Sequence, residues 1–203
     1  MPTRIRLATI LAAGLTIAAV APVCADPSDW IGPPAETPKA QHDQTQDLDF
    51  LFGALKVAPD ESSAKAIEQR IWARWMVSGS DTTNLLMSRV KTAIDTKDLD
   101  LALRLLDAVV ELDPRYIEGW NRRATVHYMR KEFGQSMTDI RRVLALEPRH
   151  FGALTGLGLI LQDIGDEKEA LAAFRKALAI YPRLEKVQDM AKTLSEKIDG
   201  RDI

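Results

Sequence analysis

Three histidines, one cysteine and a glycine pair are the residues best suited to chemistry in this chain, and spacing decides what they can do. His42, His127 and His150 fall in no H-x-x-x-H or H-E-x-x-H pattern, so no two of them share a helix face as metal ligands. His127 reads as a histidine at the edge of a packed helix face. His150 follows Glu147-Pro148-Arg149 and reads as a polar turn residue. Gly156 and Gly158 supply two glycines of a phosphate-binding fingerprint, but the third is missing and no strand precedes them. No serine stands in a G-x-S-x-G elbow. The acidic pairs Asp98/Asp100 and Asp166/Glu167 fall where helices begin, and negative charge there favours the helix dipole. No catalytic constellation, metal site or cofactor site emerges, so the chain reads as a non-enzyme without a small-molecule substrate.

Arg122 and Arg123 are the remaining chemical candidates, and their roles depend on the element that holds them. The chain has 203 residues and a formal charge of −2, enough for one sizeable domain, and the charge gives no reason to expect nucleic acid as partner. Residues 1–25 open with Arg4 and Arg6, run apolar from Leu7 to Val20 and end in small residues. That is the pattern of an export signal cleaved after Ala25, and the apolar run is shorter than the roughly 20 residues a membrane-spanning helix needs. An uncleaved anchor is the alternative. Cys24, the only cysteine, lies within this segment. Val23 before it and Ala21 two residues further back do not fit a lipidated cysteine. Cleavage leaves 25 basic against 29 acidic residues and no thiol, which suits a bacterial periplasm. Residues 26–46 hold four prolines and no apolar period and read as a flexible linker, with Trp30 beside Ile31 either a docking motif or simply linker.

Beyond the linker the chain repeats. Pro114, Pro148 and Pro182 are 34 residues apart. In the same frame fall the columns Ala102/Ser136/Ala170, Leu106/Ile140/Phe174 and Val109/Val143/Ala177. Leading helices align on Leu86/Trp120/Leu154 and on Val90/Ala124/Gly158. Small residues facing bulky ones allow two antiparallel helices to pack closely, and proline ends each second helix. This pattern resembles the tetratricopeptide repeat, most closely at Trp120, Ala124, Gly158, Ala170, Phe174, Ala177 and Pro182. The fold expected is all-α: an α-solenoid of antiparallel helix pairs with three units, 83–116, 117–150 and 151–184. Residues 47–82, with Ile67, Ile71, Trp72 and Trp75 as an apolar stripe, read as a degenerate first hairpin capping the stack. Residues 185–203 supply a C-terminal capping helix with Val187, Met190, Ala191 and Leu194 inward. The whole sequence is similar to exported alphaproteobacterial members of the family.

The resemblance implies a right-handed superhelix whose first helices line a concave groove that binds a peptide or helix of another protein. At about 100° per residue, Trp120, Ala124 and His127 share the packed face, and Asn121, Arg122, Thr125 and Met129 look into the groove. The equivalent positions are Met87, Ser88 and Lys91 before, and Thr155, Leu159 and Gln162 after. Arg123 coincides with Arg89 in the repeat frame, and both read as structural residues, each needing a carboxylate from among Asp95, Asp107, Glu111, Glu118 and Asp139. The family's clamp for a C-terminal carboxylate is mostly absent. Met87 replaces its first lysine, Arg122 stands where an Asn belongs, and Gly152 and Gly156 replace basic residues. The expectation is a periplasmic adaptor or scaffold binding an acidic or amphipathic segment of an envelope protein; the alternative is an assembly chaperone for exported or secretion-machinery subunits.

Overall fold

The computed structural model describes residues 48–200, which form nine α-helices and no strand. The expected export segment, the linker with Trp30 and the last three residues lie outside the described residues. No described helix is long and apolar enough to cross a membrane.

Helices α3 (Asp81–Asp95) and α4 (Leu99–Leu112) form the first unit. Helices α5 (Ile117–Met129) and α6 (Phe133–Leu146) form the second, and α7 (Phe151–Asp163) and α8 (Glu167–Ile180) the third. Each helix packs on its pair partner and then on the next unit, and α9 (Glu185–Asp199) closes the series on α8. Asp98 and Asp166 cap α4 and α8 by accepting the N–H of Leu101 and Glu169, a cap worth about 1 kcal/mol. The tight turn inside each unit passes through a left-handed residue, at Lys97 (φ 61°), Lys131 (φ 63°) and Gly165 (φ 87°), again 34 residues apart. Only the third unit places glycine where that conformation is free of strain.

The small and bulky columns meet as expected. Ala102, Ser136 and Ala170 are buried, as are Leu106, Ile140 and Phe174 against them. Ser136 Oγ donates to Ala124 O at 2.7 Å, which satisfies the one hydroxyl in the small column. A Cβ on Gly158 would lie 2.3 Å from the Phe174 ring, so glycine here permits close approach of α7 and α8. Each second helix ends with the N–H of Asp113, Glu147 or Tyr181 bonded to the carbonyl four residues back. The next residue is proline, which cannot donate to the ladder.

The hairpin of α1 (Leu48–Lys56) and α2 (Glu61–Trp75) forms as expected, capped at Asp60, but it does not cap the first unit. It lies along the turns that join successive units. At one end Arg183 Nε donates to Ala58 O at 2.7 Å and Nη2 to Pro59 O. Further along, Tyr181 Oη donates to Glu68 at 3.2 Å. Trp75 then stacks on the His150 ring at 4.1 Å, with Trp72 edge-on to Phe151 at 5.7 Å. At the far end Tyr116 Oη donates to Met76 O at 3.1 Å. Fifteen helical residues span about 22 Å, which matches two steps between first helices packed about 10 Å apart. Helix α1 completes the junction: Leu51, Phe52 and Leu55 share one core with Phe151 and Tyr181. Arg149 meanwhile pairs with Asp49 at 2.6 Å and lies over the Phe52 ring. Burying each of these large apolar side chains stabilises by roughly 1.5–3 kcal/mol.

Candidate binding groove

Three clefts open in succession between the first helices, and each takes its chemistry from a different part of the sequence. The first, about 390 Å³, lies between α3 and α5 and is bounded by Met76 at the end of α2. Its lining holds two cations, Lys91 and Arg122, and no carboxylate, over a floor of Met87 and Val90. The second, about 400 Å³, lies between α5 and α7 and is lined by no charged residue. Asn121, Thr125 and Thr155 supply its polar groups, while Tyr128, Met129 and Leu159 supply its walls. It is deep because Gly156 leaves its floor open: a Cβ there would find Ile140 at 3.7 Å and nothing closer. The third, about 660 Å³, lies between α7 and α9 and is walled by Trp72 of α2. Phe151, Leu184, Val187 and Met190 make it apolar, and Gly152, Thr155 and Leu159 border both it and the second cleft.

A buried polar cluster joins α5 to the start of α7. Glu118 and His150 are both 0% exposed and lie 3.0 Å apart. The N–H of Ala153 donates to His150 Nδ1 at 3.0 Å, so His150 caps α7 with that nitrogen unprotonated. The ring proton therefore sits on Nε2 and points at Glu118 Oε1. Asn121 Nδ2 donates to the same carboxylate at 3.2 Å, and Arg122 Nε approaches it at 3.6 Å. A buried carboxylate needs such partners, since without them its desolvation is unfavourable by several kcal/mol. Burial, with Glu118 second, pushes the Tyr116 phenol up to about 12. Burial and then Glu68 push Tyr181 up to about 12 as well.

Most of the groove positions read from sequence line these clefts: Ser88, Lys91 and Arg122 the first, Asn121, Thr125 and Met129 the second, Thr155 and Leu159 the second and third. Met87 lines the first cleft too, 9% exposed as part of its floor with Val90. Gln162 differs: exposed in the last turn of α7, one turn beyond Leu159 on the same face, it lines none of the three clefts. Arg123 is structural as expected. It grips Asp139 with Nε and Nη2, both at 2.8 Å, and reaches Asp107 with Nη1 at 2.9 Å. Arg89 is not its match, being exposed with no ion pair among the described residues. His127 accepts its packed-edge role, with Nδ1 2.6 Å from Glu132.

His150 stands at the inter-unit turn as expected but is fully buried there, and Glu118 and Trp72 were not read as part of any site. One signal was available. Two residues after each repeat proline stand Tyr116, His150 and Leu184, a bulky column at turns where a solvent-facing chain has no need of bulk. The residue between is arginine each time, and Arg149 and Arg183 are the two that hold the hairpin. Among the described residues no cluster of three or more His, Cys, Asp or Glu side chains is placed to hold a metal.

Fold and clefts together define a class: a solenoid of antiparallel helix pairs that leaves one helix of each pair free to line a row of clefts. The sequence model described as tetratricopeptide repeat matches residues 151–184. A TPR repeat-containing protein of Rhizobium etli, an alphaproteobacterium, is 41% identical over 165 residues, covering 81% of this chain and 81% of that one. The chain belongs to the tetratricopeptide-repeat family. The family model meets only the third unit, the one with Gly158, Gly165 and Phe174 all in place. The fold is similar to the first TPR of Spaghetti (RPAP3) solved with an HSP90 peptide, SRMEEVD. That likeness is at 17% identity and TM-score 0.56, covering 59% of this chain and 95% of that one. It is also similar to MamA at 19% identity and TM-score 0.55, covering 78% and 85% of the two chains.

Proposed function

We propose that this chain is a non-enzymatic adaptor of the bacterial cell envelope, exported through residues 1–25, that holds a segment of one partner protein in the cleft row. The observation that carries the reading is the row itself. Three clefts follow one another along the first helices, the second and third sharing Gly152, Thr155 and Leu159, and Lys91 and Arg122 face the first with no lining carboxylate opposite them. The Spaghetti TPR holds a seven-residue peptide, which supports a peptide segment as the ligand class. The basic start, apolar run and small residues before Asp26 support export.

The test is photo-crosslinking in living cells from Thr125, exposed at the second cleft, with Arg141 on the exposed side of α6 as control. The expected result is one or a few proteins attached from Thr125 and not from Arg141. Gly156→Met, which fills the second cleft, is expected to abolish that capture with little change in melting temperature. Equal capture from both positions, or capture unaffected by Gly156→Met, contradicts the reading. Arg122→Glu is unsuitable as a probe, because it sets a second carboxylate beside buried Glu118.

A further inference from the structure

The chemistry of the clefts changes in one direction along the row. The α3–α5 cleft carries Lys91 and Arg122 with no lining carboxylate. Lys91 is engaged only with Asp95, an exposed pair one helical turn away, which contributes a few tenths of a kcal/mol and yields to a better partner. Arg122 is 39% exposed, with Nε 3.6 Å from Glu118 and Nη2 against the Met76 sulfur, so its donors are open to a charge-assisted hydrogen bond. The middle cleft has no charge. The α7–α9 cleft is the largest of the three, and its mostly apolar lining also holds Glu68 and Asp189 against one cation, Lys186. An acid is welcome at the first end and unwelcome at the last. The last cleft, at about 660 Å³ against about 390 Å³ and with Trp72 as a wall, offers a bulky apolar group more room and more aromatic contact than the first.

We propose that the groove reads a partner segment with an acidic side chain at one end and a bulky apolar side chain, aromatic or branched, about six residues away. The acid sits between α3 and α5, and the apolar anchor sits between α7 and α9 against Trp72. The spacing follows from geometry. The two clefts are two first-helix steps apart, about 20 Å, and an extended chain covers that in about six residues at roughly 3.3 Å each. Small or polar residues between them cross the uncharged middle cleft. Trp72 comes from the hairpin and not from a repeat, so the hairpin takes part in choosing the partner. This inference rests on the cleft row being the binding face.

The test uses fluorescein-labelled nonapeptides with both termini blocked. One has two glutamates, a Gly-Ser spacer of five residues and Trp-Leu at the end, and a second has the reverse order, since the direction of the bound chain is open. Control peptides replace the glutamates by lysines or the Trp-Leu by alanines. Fluorescence anisotropy is expected to show one order binding at least about tenfold tighter than either of its controls, a difference of about 1.4 kcal/mol. Lys91→Glu is expected to reverse the preference between glutamate and lysine peptides. Trp72→Ala is expected to erase the advantage of Trp-Leu over alanine while keeping the glutamate preference. Circular dichroism melts confirm that each variant is folded. Binding that is indifferent to the glutamates, binding that Trp72→Ala leaves unchanged, or no binding of either order overturns the inference. If crosslinking from Thr125 still captures a partner, the cleft row remains the binding face and only the acidic-to-apolar pattern falls. If Thr125 captures nothing, the underlying reading fails with it.

Discussion

In the repeat array, residues 34 positions apart do the same job; in the hairpin, no residue has a counterpart. Val109, Val143 and Ala177 are each fully buried at equivalent places, and each is supported by its nearest units. Trp75 is also buried, at 4% exposure, but its support comes from His150 and Phe151, about seventy-five residues along the chain. The array is held by local, repeated contacts and the hairpin by a few distant ones. The difference teaches where cooperativity ends: the array can stand while the hairpin opens, and the hairpin cannot stand without the array.

Phe174→Ala and Trp75→Ala should separate the two regions most strongly. Phe174→Ala removes the ring on which α7 and α8 close, and is expected to lower stability by about 3–5 kcal/mol with loss of hydrogen-exchange protection throughout α3–α9. Trp75→Ala should be of similar size locally, but exchange should accelerate in α1 and α2 alone. Trp75 Nε1 is buried with no hydrogen-bond partner. Trp75→Phe should therefore come within about 1 kcal/mol of wild type, since losing an unsatisfied donor offsets lost contact.

Glu118→Ala attacks the point where the regions meet. It leaves the His150 Nε2 proton buried without its carboxylate and is expected to destabilise by about 3 kcal/mol. Urea denaturation checks the size, and faster exchange in both α2 and the first turn of α7 checks the place. If α2 keeps full protection, the cluster does not couple hairpin to array.

Periodicity explains why one region was legible in sequence and the other was not. The pairing of Ala102 with Leu106, or Gly158 with Phe174, could be read because the same arrangement recurs three times, and a helical wheel then located Lys91, Arg122 and Thr125 on the open side. The hairpin has no register to copy. Its amphipathic stripe showed that α2 must be covered, but covering by the first unit and covering by the inter-unit turns use the same apolar residues. Arg89 misled for a related reason: equivalence to Arg123 in the frame does not supply an equivalent of Asp139, and the first unit has Leu105 at that position.

Smaller effects test the array's own irregularities. Lys97 and Lys131 hold left-handed turns that Gly165 holds without strain, so Lys97→Gly and Lys131→Gly should each raise stability by about 0.5–1 kcal/mol, measured by thermal melts. Gly165→Lys should cost a similar amount.

Alkaline titration gives the mildest test. Tyr116 and Tyr181, which bond the C-terminal cap and the middle of α2, stand at about 12 in the folded chain, above the unfolded value of about 10. The folded state thus keeps protons that the unfolded state releases. Their stabilising contribution is complete below pH of about 10 and is lost as pH rises toward about 12. Tyrosinate absorbance at pH about 11 should be well below that of the urea-unfolded chain, and Trp75→Ala should bring it closer.

The placement of α2 along the inter-unit turns is the claim on which cleft, cluster and hairpin all depend, and proton NMR tests it most directly. Stacking at 4.1 Å under Trp75 predicts His150 ring protons shifted strongly upfield, returning to ordinary positions in Trp75→Ala. It also predicts nuclear Overhauser contacts between the Trp72 indole and Gly152, whose Cβ position lies 3.0 Å from Trp72 Cη2. Ordinary His150 shifts in the wild type, with α2 showing contacts to α3 and none to α7, would contradict the account.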